Sequence, residues 1–343
     1  MLKDLKNYLP YELEHATAEV GGQKYLGKYI FSFIHEHNVS DIEKITPLNK
    51  AFRQKLKTSG YYISQLKIID KQIDSDGICK YLFELPDGNR IETVLLPSDK
   101  RMAVCISTQA GCAMNCLFCA TGKIKFERNL TVAEIVDQVN IINAETGERI
   151  SNVVYMGMGE PLDNYDAVIK AVRILNDPAG KNIGIRHQTV STCGQADGIR
   201  RLAGETIQPR LAISLNAVSD NKRDKLMPIN VKYPISELLK AVKFYQSKNR
   251  NRVTFEYVLL DGINDSLAEA RQLTNMLKGL MCNINLIEYN PHSGCELRAS
   301  GRQTIRKFKD ALAQAGYETS IRFRMGRQIK AACGQLGAKN KPR

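Results

Sequence analysis

The segment Cys112-Ala-Met-Asn-Cys116-Leu-Phe-Cys119 sets three thiols in a C-x3-C-x2-C run. Three thiolates this close can hold three irons of a cubane [4Fe–4S] cluster and leave the fourth iron open to a small molecule, which it can supply with an electron. A cluster that only carries electrons would normally take a fourth cysteine nearby, and the next one along the chain is Cys193. Zinc in a structural site wants four closed ligands, usually as two separated pairs, and no histidine stands beside the triplet to complete one. The spacing therefore predicts a catalytic cluster ligated by Cys112, Cys116 and Cys119. Its small-molecule partner would be S-adenosylmethionine, whose amino and carboxylate groups chelate the open iron. Electron transfer then breaks a C–S bond and yields a 5′-deoxyadenosyl radical.

Other segments carry polar or reactive groups that could serve the same site. Met156-Gly-Met-Gly-Glu160-Pro161 closes a β-like run; its glycines permit close backbone approach to a ligand, and Glu160 can accept hydrogen bonds from an ammonium group. Ser191, Ser214 and Asn290 each fall at or near the end of an expected strand, where they could bind a ribose and an amino-acid moiety or serve only as turn-formers. Ala331-Ala-Cys333-Gly-Gln-Leu336 carries a cysteine that could be an ordinary buried hydrophobe, or a nucleophile on a segment folded over the site. Cys105 precedes the triplet on an expected strand that could face the same mouth. Cys79, Cys193, Cys282 and Cys295 read as core or loop cysteines.

These groups need a scaffold, and the sequence from about Ala103 onward supplies one. Apolar runs at Ala103–Ser107, Asn152–Met156, Gln188–Ser191, Leu211–Leu215, Val253–Leu259 and Asn283–Ile287 suit parallel strands buried on both faces. Amphipathic helices alternate with them. Thr131-Val-Ala-Glu134 and Ser266-Leu-Ala-Glu269 read as capping boxes, Pro234 opens a further helix, and a last one runs from about Gln303 to Gly316. The fold class expected is α/β, a partial (β/α)6 barrel in which ligands bind at the carboxyl ends of the strands. Its expected span is 98–325, preceded by a helical accessory domain over 1–58 and a β-hairpin extension over 59–97, with Asp87-Gly88 as the turn. A C-terminal loop and frayed basic tail fill 326–343.

The bulk numbers fit. A chain of 343 residues with 43% hydrophobic and 25% charged residues has ample material for a core. It lacks any run of roughly 20 apolar residues that would span a membrane. Met-Leu-Lys-Asp-Leu-Lys at the start lacks an apolar signal core, and an odd count of nine cysteines argues against a disulfide framework, so a reducing cytoplasm is expected. A net charge of +13 is high for an enzyme of small metabolites and points to a polyanion, nucleic acid above all.

Cys112–Cys119, Met156–Leu162, Leu226-Met-Pro-Ile-Asn230 and Ala331–Leu336 together resemble the radical SAM 23S rRNA/tRNA adenine C2-methyltransferases of the RlmN type and their Cfr-type C8-methylating relatives. The resemblance runs from about Asp76 to Leu336. It implies that Gly159, Glu160, Ser191, Ser214, Leu215, Asn216 and Asn290 match S-adenosylmethionine contacts. It also implies that Cys333 is methylated by one S-adenosylmethionine while a second supplies the radical, that Glu92 removes the ring proton, and that Cys105 releases the covalent RNA adduct through a disulfide with Cys333. The targets implied are adenosine 2503 of 23S rRNA and adenosine 37 of tRNA, and the partners are those RNAs and an electron donor such as flavodoxin, with the chain a monomer. Pro161 favours C2, because the C8 relatives carry alanine there. The alternatives are C8 methylation, another radical reaction on a small molecule, or a non-catalytic Fe–S or zinc RNA-binding module. Departures from the family are Ser214-Leu-Asn216 for Ser-Leu-His, Gln328-Ile-Lys330 for Asp-Ile-Asp in a loop made more basic by Arg322, Arg324 and Arg327, and Tyr25-Leu-Gly-Lys28 for Arg-Ala-Lys-Gln.

Overall fold

The computed structural model describes residues 2–98, 101–292, 295–322, 326 and 328–337. Arg324, Arg327 and the basic tail beyond Gly337 lie outside the described residues. The chain opens with β1 (Lys3–Asp4), α1 (Pro10–Glu19), α2 (Leu26–His35) and α3 (Lys50–Thr58), then β2 (Tyr61–Tyr62), which pairs in parallel with β1 and closes the module on itself. Buried Leu5, Leu13, Ile30, Phe31, Ile34 and Leu56 hold these helices together. A buried ion pair between Lys6 and Asp137 pins the module to the body behind it, and the same carboxylate accepts the Leu66 N–H at 2.7 Å.

An antiparallel meander follows: β3 (Lys67–Ile73), β4 (Cys79–Glu84) and β5 (Arg90–Ser98). Asp87 and Gly88 turn β4 into β5, with Gly88 at φ +82° and Asp87 accepting the Asn89 N–H at 3.0 Å. The expected hairpin is thus part of a larger sheet. β5 pairs antiparallel with β6 (Arg101–Cys105), and the strands continue through a small ribbon, β7 (Gln109–Ala110) with β8 (Arg128–Asn129). After this come α4 (Val132–Thr146), β9 (Asn152–Tyr155), α5 (Tyr165–Asn176), β10 (Gln188–Thr192), α6 (Ala196–Leu202), β11 (Arg210–Ser214), α7 (Asp220–Leu226), α8 (Ile229–Lys232) and α9 (Ile235–Asn249). Then follow β12 (Val253–Leu259), α10 (Leu267–Met276), β13 (Cys282–Glu288), α11 (Arg302–Gln314) and β14 (Thr319–Arg322).

The ten-stranded sheet runs β14-β13-β12-β11-β10-β9-β6-β5-β4-β3, with every neighbouring pair from β6 to β14 parallel. The six expected parallel strands are all present. β14 is an addition: Thr-Ser-Ile-Arg is short and half polar, as suits an edge strand, and carries no apolar run to announce it. Thr131 forms its full capping box, its Oγ1 accepting from Glu134 N–H at 3.2 Å while Glu134 Oε2 accepts from Thr131 N–H at 2.8 Å. Ser266 forms only half of one. Its Oγ accepts the Glu269 N–H at 3.2 Å, but the Glu269 carboxylate turns instead to Lys222 and the Tyr257 hydroxyl. No helix among the described residues is long and apolar enough to cross a membrane.

Candidate active site at the strand ends

A cavity of about 900 Å³, open solvent at its mouth included, lies at the carboxyl ends of the parallel strands. Cys112, Cys116 and Cys119 line it from the loop after β6. That loop is pinned by the Leu117 N–H to the Leu226 carbonyl at 2.9 Å and by the Cys119 N–H to the Cys116 carbonyl at 3.1 Å. Burial, ahead of neighbouring negative charge, pushes the Cys112 thiol up to about 12 and raises Cys116 well above its usual range. Thiols held protonated in so dry a loop ionise only when a cation replaces the protons. Three soft sulfur donors beside an open cavity fit an iron–sulfur cluster with one free iron.

The Gly-Glu turn forms the next wall. Glu160 is buried; its Oε1 accepts the Leu162 N–H at 3.0 Å and its Oε2 the Cys193 N–H at 2.8 Å. Burial raises its pKa despite those bonds. Both glycines line the cavity, and protein packs against the side where a Cβ would stand. Gly159 has φ +101°, and a Cβ there would stand 2.5 Å from the Gln109 side chain; one on Gly157 would meet the Ile106 backbone at 2.7 Å. Gln109 Oε1 accepts the Glu160 N–H at 2.8 Å, so the turn is locked to the ribbon after the first parallel strand.

Ser191, Ser214 and Asn290 line the cavity from the ends of β10, β11 and β13. Asn290 donates from Nδ2 to the Cys333 carbonyl at 3.1 Å, and its buried Oδ1 has no partner among the described residues. An acceptor left free in the cavity wall, with the Glu160 carboxylate, suits the ammonium and ribose of S-adenosylmethionine. Leu215 and Asn216 do not join this lining. Leu215 is fully buried; Asn216 is left-handed at φ +57°, with Oδ1 accepting the Val258 N–H at 2.8 Å and Nδ2 on the Met227 sulfur at 3.2 Å. Its side chain serves the backbone behind the rim.

Two further residues belong to the site. Cys193, expected as an ordinary core cysteine, lines the cavity beside Glu160, and burial holds its thiol far up. Arg223, which the sequence did not single out, is completely buried and donates to four acceptors. These are the carbonyls of Cys193 at 2.6 Å, Ser214 at 3.1 Å and Leu215 at 3.0 Å, and Asn230 Oδ1 at 2.9 Å. One guanidinium thereby ties the ends of β10 and β11 to the Leu226–Asn230 segment.

The C-terminal segment lies over the mouth. Ala120 N–H donates to the Gly334 carbonyl at 2.7 Å, Thr121 Oγ1 to the Leu336 carbonyl at 2.7 Å, and Gln335 Nε2 to the Pro291 carbonyl at 3.1 Å. Cys333 lines the cavity and is reached by solvent at its rim. Cys105, at the end of β6, is buried; burial first and the Cys333 charge second raise its thiol, so the two sulfurs are in electrostatic reach of each other. Both are free thiols here. Glu256, from inside β12, also lines the cavity and pairs with Arg322 at 3.4 Å. Glu92 sits on β5 with its side chain buried. Because Val94 lies opposite Cys105, Glu92 shares the sheet face of that cysteine. Its Oε1 is 3.1 Å from Lys80 Nζ and its Oε2 accepts the Gly337 N–H at 2.5 Å. Lys80 too escaped the sequence reading, although a lysine inside an otherwise apolar strand was a visible signal.

Parallel strands with a cysteine triplet and a polar rim at their carboxyl ends define a radical SAM enzyme, and the family model described as the radical SAM superfamily matches residues 106–273. The model for the ribosomal RNA large subunit methyltransferase N-terminal domain, RlmN_N, matches residues 3–61. The chain is 45% identical over 98% of its length to a probable dual-specificity RNA methyltransferase RlmN of Thermotoga sp. strain RQ2, covering 98% of that protein. It is 43% identical to the corresponding protein of Thermoanaerobacter sp. strain X514, covering 98% of each chain. Its fold matches the crystal structure of a radical SAM methyltransferase from Sphaerobacter thermophilus with a TM-score of 0.93 and 41% identity, covering 98% of this chain and 99% of the other. The chain belongs to the RlmN family of radical SAM RNA methyltransferases. Its cofactors are accordingly a [4Fe–4S] cluster and S-adenosylmethionine.

Proposed function

We propose that the protein methylates C2 of adenosine in RNA, at adenosine 2503 of 23S rRNA and adenosine 37 of tRNA, through an S-methylcysteine on Cys333. The observation that carries this reading is the convergence of Cys333, Cys105 and Glu92 beside the mouth that the triplet lines. Adenine C2 is electron-poor and has no lone pair, so a sulfonium cannot methylate it directly, and a residue-bound one-carbon unit offers another route. When bound, the cluster and S-adenosylmethionine supply the methyl group and the means to remove a hydrogen atom from it.

The chain's own groups then divide the work. Cys333 loses its thiol proton and takes the methyl; once a hydrogen atom is removed, that carbon bonds to C2, and the unpaired electron left on the ring would pass to the one-electron acceptor that the oxidised cluster supplies. Glu92 Oε2 takes the ring proton, and the bonding pair stays on the ring. Cys105, as its thiolate, bonds to the Cys333 sulfur as the S–C bond breaks; the bonding pair stays with the methylene carbon, which takes up a proton to become the methyl group, and the RNA is freed. Glu160, Ser191, Ser214 and Asn290 hold S-adenosylmethionine, while Cys112, Cys116 and Cys119 hold the cluster. The target base must leave its stack at a cost of a few kcal/mol, cheapest in a loop, and lysine and arginine contacts to phosphate make binding steeply salt-dependent. Pro161, at the first turn after Glu160, supports C2 over C8.

Mass spectrometry of rRNA and tRNA nucleosides from cells with and without the protein tests the reading. 2-Methyladenosine in both RNAs, lost on deletion, is expected. 8-Methyladenosine instead, or no change, overturns it.

A further inference from the structure

We propose that Lys80 is a positioning residue for Glu92: its ammonium holds Oε1 and so reserves Oε2 for the substrate proton. The inference rests on the reading of Glu92 as the base that deprotonates the ring.

The sheet register places the two residues. Leu82 on β4 lies directly opposite Glu92 on β5, and Lys80 lies opposite Val94, so Lys80 reaches Glu92 along the diagonal of one sheet face. The contact is 3.1 Å, with the lysine side chain 11% and the glutamate side chain 8% exposed. Neighbouring charges do not displace it: Glu84 lies opposite Arg90 farther along the same face towards the turn. Cys105 flanks Val94 on β6, and Cys333 lies on the segment over the mouth. Ser107 Oγ takes the Glu92 carbonyl oxygen, and the Glu92 N–H meets the Met158 sulfur, so neither competes for the carboxylate.

Two donors thus hold the two oxygens, and they differ in how they are themselves held. Lys80 sits mid-sheet, with β4 laddered to β3 on one side and β5 on the other. Gly337 belongs to a segment with no strand or helix among its described residues. The Gly337 N–H can therefore yield to an adenine ring, while Lys80 stays. With Oε1 held by Lys80, Oε2 is the oxygen left to take the ring proton. Without Lys80 either oxygen could turn to the mouth, and the carboxylate would lose its fixed aim.

Lys80→Gln, Lys80→Arg and Glu92→Gln, reconstituted with cluster and S-adenosylmethionine, separate the possibilities. In Lys80→Gln the cluster content and the mass of S-methylated Cys333 should match wild type, and KM for RNA should hold. Resolution of the covalent protein–RNA adduct should slow by about tenfold or more, so that the adduct accumulates on denaturing gels. Lys80→Arg should restore most of the rate, which a purely packing role would not predict. Adduct resolution at the wild-type rate in Lys80→Gln, or an Arg variant as slow as the Gln variant, overturns the proposal. If Glu92→Gln itself resolves the adduct normally, the base assignment fails instead. Should Lys80→Gln not fold, carbodiimide treatment of the wild-type holoenzyme decides: an amide joining residues 80 and 92 by peptide mass supports the pairing, and its absence overturns it.

Discussion

The Gly337 backbone N–H rests on the Glu92 carboxylate at 2.5 Å, so the loop that carries Cys333 is bonded directly to the strand that carries the candidate base. The same loop is fixed to the cluster-binding turn through Gly334 and Leu336, and to Asn290 through the Cys333 carbonyl. Movement of this segment is therefore felt by three parts of the site together. If Glu92 is the base, an incoming adenine would approach Oε2 where the Gly337 N–H now rests.

The two thiols outside the triplet should be separable by substitution. Cys333→Ala is expected to abolish RNA methylation while iron and sulfide content stays at wild type, because Cys333 is not among the cluster donors. Cys105→Ala should leave Cys333 methylation intact and trap protein on RNA as a slowly migrating band. Methylation by Cys333→Ala would sink the methylcysteine route. A Cys105→Ala enzyme that turns over with no trapped band would remove Cys105 from it.

Arg223 is expected to be the most sensitive structural residue of the rim. Replacing it by methionine strands the carbonyls of Cys193, Ser214 and Leu215, as well as Asn230, in the protein interior. Loss of one partner in a buried charged network costs about 3–5 kcal/mol. Arg223→Lys should recover little of this, since one ammonium cannot span four acceptors in different directions. Thermal unfolding, followed by S-adenosylmethionine titration of whatever remains folded, checks both; a lysine variant close to wild type would show that the fork geometry is immaterial.

How much of this was visible in the residues depends on how local the signal is. The cysteine triplet announces itself by spacing alone, and the six apolar runs mark strands because parallel strands buried on both faces tolerate little else. The pairing of Lys80 with Glu92 is set by register across a hairpin, and the fourfold use of Arg223 by the approach of two strand ends; neither leaves a pattern along the chain. Cys193 shows the same limit, since only the fold brings it to Glu160. Asn216, which the resemblance set among the ligand contacts, has a left-handed backbone that turns its amide onto β12. The glycines of the Gly-Glu turn read as places for close approach to a ligand; they line the cavity, and Gln109 and Ile106 pack where a Cβ would stand, a contact no local pattern announces.

His35 should make the protein acid-sensitive. Its ring is completely buried against Phe31, neither nitrogen has a partner among the described residues, and burial lowers its pKa to about 3. The unfolded chain takes up a proton at this residue below about 6.5 while the folded chain does not, so stability falls as pH drops from 6.5 towards 3. At pH 5 the loss relative to pH 7 is about 2 kcal/mol from this group. In His35→Leu that component should vanish. Urea unfolding at the two pH values measures it as the difference in slope between variant and wild type, and equal slopes would mean that His35 does not titrate in this way.

Glu160 offers the sharpest separation of structural and binding roles. Burial, its largest influence, raises its pKa above the ordinary carboxylate value. The folded state therefore favours the protonated form, and the ligand-free protein loses stability as pH rises through the folded value. Glu160→Gln cannot ionise, so its stability relative to wild type should improve as pH rises from the ordinary carboxylate value through the folded one and then level off, even though the amide loses one of the two backbone N–H bonds from Leu162 and Cys193. Binding should move the other way. If the carboxylate faces the ammonium of S-adenosylmethionine, losing its charge removes a charge-assisted bond worth about 1.5–3 kcal/mol, or roughly ten- to a hundredfold in Kd. Differential scanning calorimetry across that pH range, with equilibrium binding at pH 8, reads both quantities on one variant. Undiminished affinity would confine Glu160 to holding the turn, and a stability difference that does not move with pH would mean that its carboxyl is not strained by burial at all.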